Sequence, residues 1–119
     1  MIKRKIDSFL TDFFAQDKKA LMLTGARQIG KTFSIRRFGH MQFESFLEIN
    51  FIENPSLVNV FSNAKNSQDI LLRLSTITNQ ELVKGNTLVF FDEVQECPEI
   101  VTAIKFLVEE GSYRYILSG

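Results

Sequence analysis

Residues Gly25 to Thr32 read Gly-Ala-Arg-Gln-Ile-Gly-Lys-Thr, directly after the apolar run Ala20-Leu-Met-Leu-Thr24. Glycine, four residues, then Gly-Lys-Thr is the spacing of a phosphate cradle. Gly25 and Gly30 let the backbone turn so that successive N–H groups point inward at an anion. Ala26, Arg27, Gln28 and Ile29 complete the loop, Lys31 reaches the outer phosphates, and Thr32 offers its hydroxyl to Mg²⁺. A helix leaving this loop would aim its positive end at the same anion. The chemistry indicated is the binding of a nucleoside triphosphate with magnesium.

A second group fits the first. Thr87-Leu-Val-Phe-Phe91 is a short apolar strand ending in Asp92-Glu93, where a parallel strand delivers its carboxyl end to a ligand. In this Walker B arrangement Asp92 would hold Mg²⁺ through its waters. Glu93 would accept a proton from an attacking water or orient it.

The elements that must position these groups alternate along the chain. Residues 2 to 15 place Ile2, Ile6, Phe9, Leu10, Phe13 and Phe14 at helical spacing, a face expected to pack on the domain, near the nucleotide base, rather than on a membrane. Strand one is expected over Ala20 to Thr24, followed by a short helix closing near Gly39. Strand two spans 46 to 51, with Leu47, Ile49 and Phe51 alternating against Glu48 and Asn50. Asn54-Pro55 reads as a helix entrance with Asn54 as cap, and a brief helix follows through Phe61.

A longer helical pattern covers 67 to 83, with Ile70, Leu71, Leu74 and Ile77 on one face. Lys84-Gly85-Asn86 breaks it before the acidic strand. Pro98 opens a last helix whose Ile100, Val101, Ile104, Leu107 and Val108 form a buried stripe and which Gly111 ends. A final strand covers Tyr113 to Leu117. Strands alternating with helices predict an α/β fold of three layers, a parallel sheet with ligand at the carboxyl ends of its strands.

The chain has 119 residues, 45% of them apolar and twelve of them Phe, enough for one domain with a core. A net charge of zero argues against a strong pull of the whole domain on nucleic acid or anionic membrane. The single cysteine, Cys97, cannot form an internal disulfide and reads as packing. No run of 18 or more apolar residues could span a membrane, and Asp7, Asp12 and Asp17 interrupt any signal-peptide core, so a cytoplasmic location is expected.

Several stretches in order carry a family resemblance: Leu23 to Thr32, Ile49-Asn-Phe51 with Glu53-Asn-Pro55, Leu88 to Gln95, Ile104-Lys-Phe106 and Tyr115-Ile-Leu-Ser-Gly119. The chain resembles the N-terminal AAA-type ATPase domain of a large bacterial and archaeal family, a P-loop NTPase that pairs this domain with a C-terminal DUF4143 domain. The resemblance implies that Gly25 to Thr32 bind ATP and that Asp92 and Glu93 are the Walker B pair. It also implies that Ser118 is similar to the polar sensor that helps place the attacking water; alone, Ser118 is a serine at a strand end. Arg27 and Gln28 belong to the loop pattern, and Arg27 either touches phosphate or braces the loop. The role of Gln95 stays open.

AAA-type domains continue into a fifth strand, an arginine finger and a helical lid. Residues 1 to 119 are therefore expected to be one domain incomplete at its C-terminus, truncated after the fourth core strand. With the family's strand order of five, one, four, three, two, strand one would lie at an open edge, inviting marginal stability or pairing between copies. No spacing singles out an arginine finger among Arg36, Arg37, Arg73 and Arg114. Two functions stay open: an ATPase that remodels a protein or nucleic-acid partner, and a nucleotide switch with slow hydrolysis. Glu93 favours the first.

Overall fold

The computed structural model describes residues 2–23 and 31–119, with side chains from Ile6 onward. Four strands, β1 (Ala20–Leu23), β2 (Ser45–Asn50), β3 (Thr87–Asp92) and β4 (Arg114–Ser118), form one sheet in the order β1-β4-β3-β2. All three pairings are parallel. Parallel neighbours require crossovers, and helices supply them. The helices are α1 (Ile2–Ala15), α2 (Lys31–Gln42), α3 (Ser56–Phe61), α4 (Ser67–Thr76) and α5 (Pro98–Glu110). The expected three-layer α/β fold is present.

The period of two along each strand divides the apolar residues between the faces. Leu47, Ile49, Val89, Phe91, Tyr115 and Leu117 face one core with Phe61 of α3, Ile70 and Leu74 of α4, and Ile100 and Leu107 of α5. Phe46, Leu88, Phe90, Ile116 and Leu21 face the other, against Leu10 of α1 and Ile35 and Phe38 of α2. β3 is buried from Thr87 to Phe91 because it is covered on both faces and flanked on both sides. Cys97 is fully buried, and burial pushes its thiol up to about 11, which suits the packing role expected of it.

Helix α1 packs on α2 through Phe14, whose ring lies 5.6 Å from Phe38 and 6.2 Å from Phe43. Its apolar face is thus spent on the domain, although Phe9 stays 47% exposed. Thr24 lies outside the described residues, so the first strand is seen only to Leu23.

Four local expectations are corrected. Helix α2 does not close at Gly39 but runs on to Gln42; the glycine is there because a Cβ would sit 2.2 Å from the Phe46 ring. The pattern over 67–83 yields a helix only to Thr76. The Ser75 and Thr76 hydroxyls donate to the Leu72 and Arg73 carbonyls, taking up acceptors that the next turn would have used. Asn54 does not cap α3: Pro55 holds the cap position, with no side-chain cap bond. Val101 of α5 is 39% exposed and leaves the buried stripe to Ile100 and Leu107.

Other terminators behave as their residue types require. Asn66 caps α4 by accepting from the Asp69 amide at 2.9 Å. Gly111 ends α5 with φ of 84°, a left-handed conformation glycine adopts without strain.

Candidate functional site

The four strands end in one row among the described residues. Asn50 of β2 is the register partner of Asp92 of β3, Asp92 that of Ser118 of β4, and Ser118 that of Leu23 of β1. In-register parallel neighbours point to the same face, here the side covered by α2. Helix α2 begins at Lys31 and Thr32 beside this row. Strand ends and helix start enclose a cleft of about 540 Å³ lined by Lys31, Thr32, Arg36, Asn50, Glu53, Asp92, Glu93, Gln95, Ser118 and Gly119. Of the residues expected to act, Lys31, Thr32, Asp92, Glu93 and Ser118 therefore share one cavity. Gly25, Ala26, Arg27, Gln28, Ile29 and Gly30 lie outside the described residues.

Asp92 is held at both oxygens. Its Oδ1 accepts from the Glu93 amide at 2.9 Å, and its Oδ2 faces Asn50 Nδ2 at 3.4 Å. The Asn50 amide has no choice of orientation, because its Oδ1 already accepts from the Ile52 and Glu53 amides, both at 2.9 Å. Burial is the main influence on the Asp92 carboxyl and pushes its pKa up; the Glu93 amide pulls it down, Glu93 and Glu48 push it up, and Lys31 opposes them. The result is a carboxylate short of positive charge.

That deficit fits a cation. Among the described residues no three His, Cys, Asp or Glu side chains gather as a metal cage. Mg²⁺ characteristically takes one or two protein oxygens and completes its shell with waters and phosphates, so Thr32 and Asp92 are a sufficient pair.

Glu93 leaves the strand by a left-handed step, φ 56° and ψ 47°, which for a non-glycine residue costs about 1 kcal/mol. The turn after it, Val94–Glu96, is a single 3₁₀ turn anchored by buried Val94 and closed by the Glu96 amide on the Glu93 carbonyl at 3.1 Å. Gln95 Nε2 donates to Glu93 Oε1 at 2.9 Å. Ser118 is 1% exposed at the end of β4 and still reaches the cleft wall.

Sequence reasoning did not assign Asn50, Arg36, Glu48 or Gly119 to the site. Arg36 follows Thr32 by one helical turn and forms a two-pronged pair with Glu48 of β2, at 2.6 and 2.8 Å. This pair ties α2 to the sheet at the mouth of the cleft. The signal for Asn50 was its place at the carboxyl end of a strand; for Arg36 it was the i, i+4 spacing from Thr32. The other arginines whose side chains are described are also engaged: Arg37 with Asp7, Arg73 with Asp69, and Arg114 with Asp17 at 3.9 Å.

No curated protein matches the chain. The AAA domain family matches residues 17–119, from the approach to β1 through the end of β4, and so takes in all four strands and every residue of the cleft. The chain belongs to the AAA domain family, a nucleotide-binding, ATPase-type domain.

Proposed function

We propose that this domain binds ATP with Mg²⁺ and that the protein carrying it hydrolyses the nucleotide to remodel a partner. The observation that carries this reading is the meeting of Lys31 and Thr32 with Asp92, Glu93 and Ser118 in a single polar cleft. Its volume of about 540 Å³ lies in the range of small-molecule sites. The Lys31 ammonium neutralises the outer phosphates, and the start of α2 adds the partial positive charge of its free amides. Thr32 Oγ1 and Asp92 would hold Mg²⁺, which when bound neutralises charge on the phosphate oxygens. Glu93 takes the proton of the attacking water, and the Ser118 hydroxyl orients that water. The loop residues Gly25 to Gly30 belong to this reading as the phosphate cradle.

The remodelling role, a C-terminal DUF4143 domain, a cytoplasmic location and assembly into homo-oligomers also belong to the reading. A switch with slow hydrolysis is the alternative, and the strained placement of Glu93 at the cleft favours turnover, because a switch needs no positioned base. The deciding measurement is turnover and nucleotide affinity of Glu93→Gln in the intact protein. Binding is expected to stay within about threefold while turnover falls about 10²-fold or more. Unchanged turnover would remove Glu93 as the base.

A further inference from the structure

Resting on that reading, we propose that Gln95 is a positioning residue that fixes the Glu93 carboxylate, and that Gly119 is the seat without which Gln95 cannot do so. Gln95 sits in the 3₁₀ turn two residues beyond Glu93, and its side chain folds back to donate from Nε2 to Glu93 Oε1 at 2.9 Å. An ionised carboxylate only accepts, so the Gln95 amide must present Nε2 to it and turn Oε1 the other way. On that other side is Gly119. A Cβ built there would lie 2.1 Å from Gln95 Oε1 and 3.3 Å from its Cδ. The amide therefore occupies the space that any side chain at 119 would need.

The backbone around the pair is fixed independently of it. The Gly119 amide donates to the Leu23 carbonyl of β1, and the turn carrying Gln95 is closed by the Cys97 amide on the Val94 carbonyl at 2.9 Å. The Gln95 amide thus bridges the end of β4 to the end of β3, with Glu93 on one side of it and the residue next to Ser118 on the other.

The test measures turnover and nucleotide affinity in the intact protein for Gln95→Glu, Gln95→Met and Glu93→Gln. Gln95→Glu keeps the shape and replaces the donor with a second acceptor; Gln95→Met keeps most of the bulk and offers no donor. Both are expected to lower kcat by about tenfold or more, leaving nucleotide affinity within about threefold and the thermal midpoint near that of the unaltered protein. Added to Glu93→Gln, Gln95→Glu is expected to lower turnover no further, because the group it acts through is already gone. Gly119→Ala is expected to reproduce the loss of kcat and to add nothing to Gln95→Met, and full kcat in Gly119→Ala would overturn its role as the seat.

Loss of turnover in Glu93→Gln with retention in both Gln95 variants would overturn the positioning role alone. Retention in all three would overturn Glu93 as base, and the positioning role with it. Equal losses of affinity and kcat in the Gln95 variants would show that the residue acts on nucleotide binding and would also refute the proposal.

Discussion

On the proposed reading Asp92 would serve a ligand, and its own burial weighs against the charge that role requires. Its carboxylate is pushed towards the neutral form chiefly by burial, and among the described residues its hydrogen-bond donors are the Glu93 amide and a 3.4 Å contact from Asn50. Asp92→Asn keeps the shape and the acceptor for the Glu93 amide while removing the desolvated charge. Its new amide donor, however, faces Asn50 Nδ2 and opposes the gain from the lost charge, so without nucleotide the thermal midpoint is expected to shift by no more than a few degrees while magnesium-dependent binding of ATP weakens; calorimetry with and without Mg-ATP reads both. Lys31→Ala removes the described cation that opposes the charge on Asp92, and is expected to lower ATP affinity by about 10²-fold or more in a titration. Unchanged affinity would refute the phosphate-loop assignment. These residues were legible in the sequence because their chemistry fixes both type and spacing. Asn50 and Gly119 were not, since each acts on a residue distant in sequence, Asp92 and Gln95, and only the folded chain brings them together.

Helix and strand identities followed the apolar periods, while helix ends did not. Gly39 resembled a helix terminator in the sequence and proved to be a contact point, with the Phe46 ring lying where its side chain would be. Gly39→Ala sets two effects against each other. The better helix propensity of alanine contributes about 1 kcal/mol, and intrusion into the ring contact costs about 1–3 kcal/mol or more. A Cβ 2.2 Å from a ring carbon puts the cost at the upper end, so a net loss of about 1–2 kcal/mol is expected in denaturant unfolding. A stabilised variant would mean that Phe46 can rotate away freely. The early stop of α4 has a similar origin. Apolar spacing continues to Ile77, but the hydroxyls of Ser75 and Thr76 satisfy the last carbonyls, and the following segment serves β2 instead. There Gln80 donates to the Phe46 carbonyl at 2.9 Å and accepts from Ser45 Oγ at 3.0 Å. Periodicity reports which face is apolar; it carries no information about side-chain bonds that end a helix.

For the molecule as a whole, ligand and stability are linked. A nucleotide that binds only the folded state is expected to raise the thermal midpoint, by about 2.7 kcal/mol of added stability at a hundred times its dissociation constant. A shift with Mg-ATP and ADP that exceeds the shift with GTP is the expected outcome, read by calorimetry or dye fluorescence; equal shifts would remove adenine selectivity. The strand order was also legible, with β1 paired to β4 alone among the described residues. The alignment Leu23, Ser118, Asp92, Asn50 has a further consequence, for how such a chain can change its length. Every member reaches the same line by counting residues from the far end of its own strand. One residue inserted within β3 would turn Asp92 to the opposite face and exchange the two cores' side chains along that strand, whereas one inserted between α4 and β3 leaves the count untouched. Descendants of this sequence are free to lengthen and shorten their connections, and the strands are the ruler they must all keep.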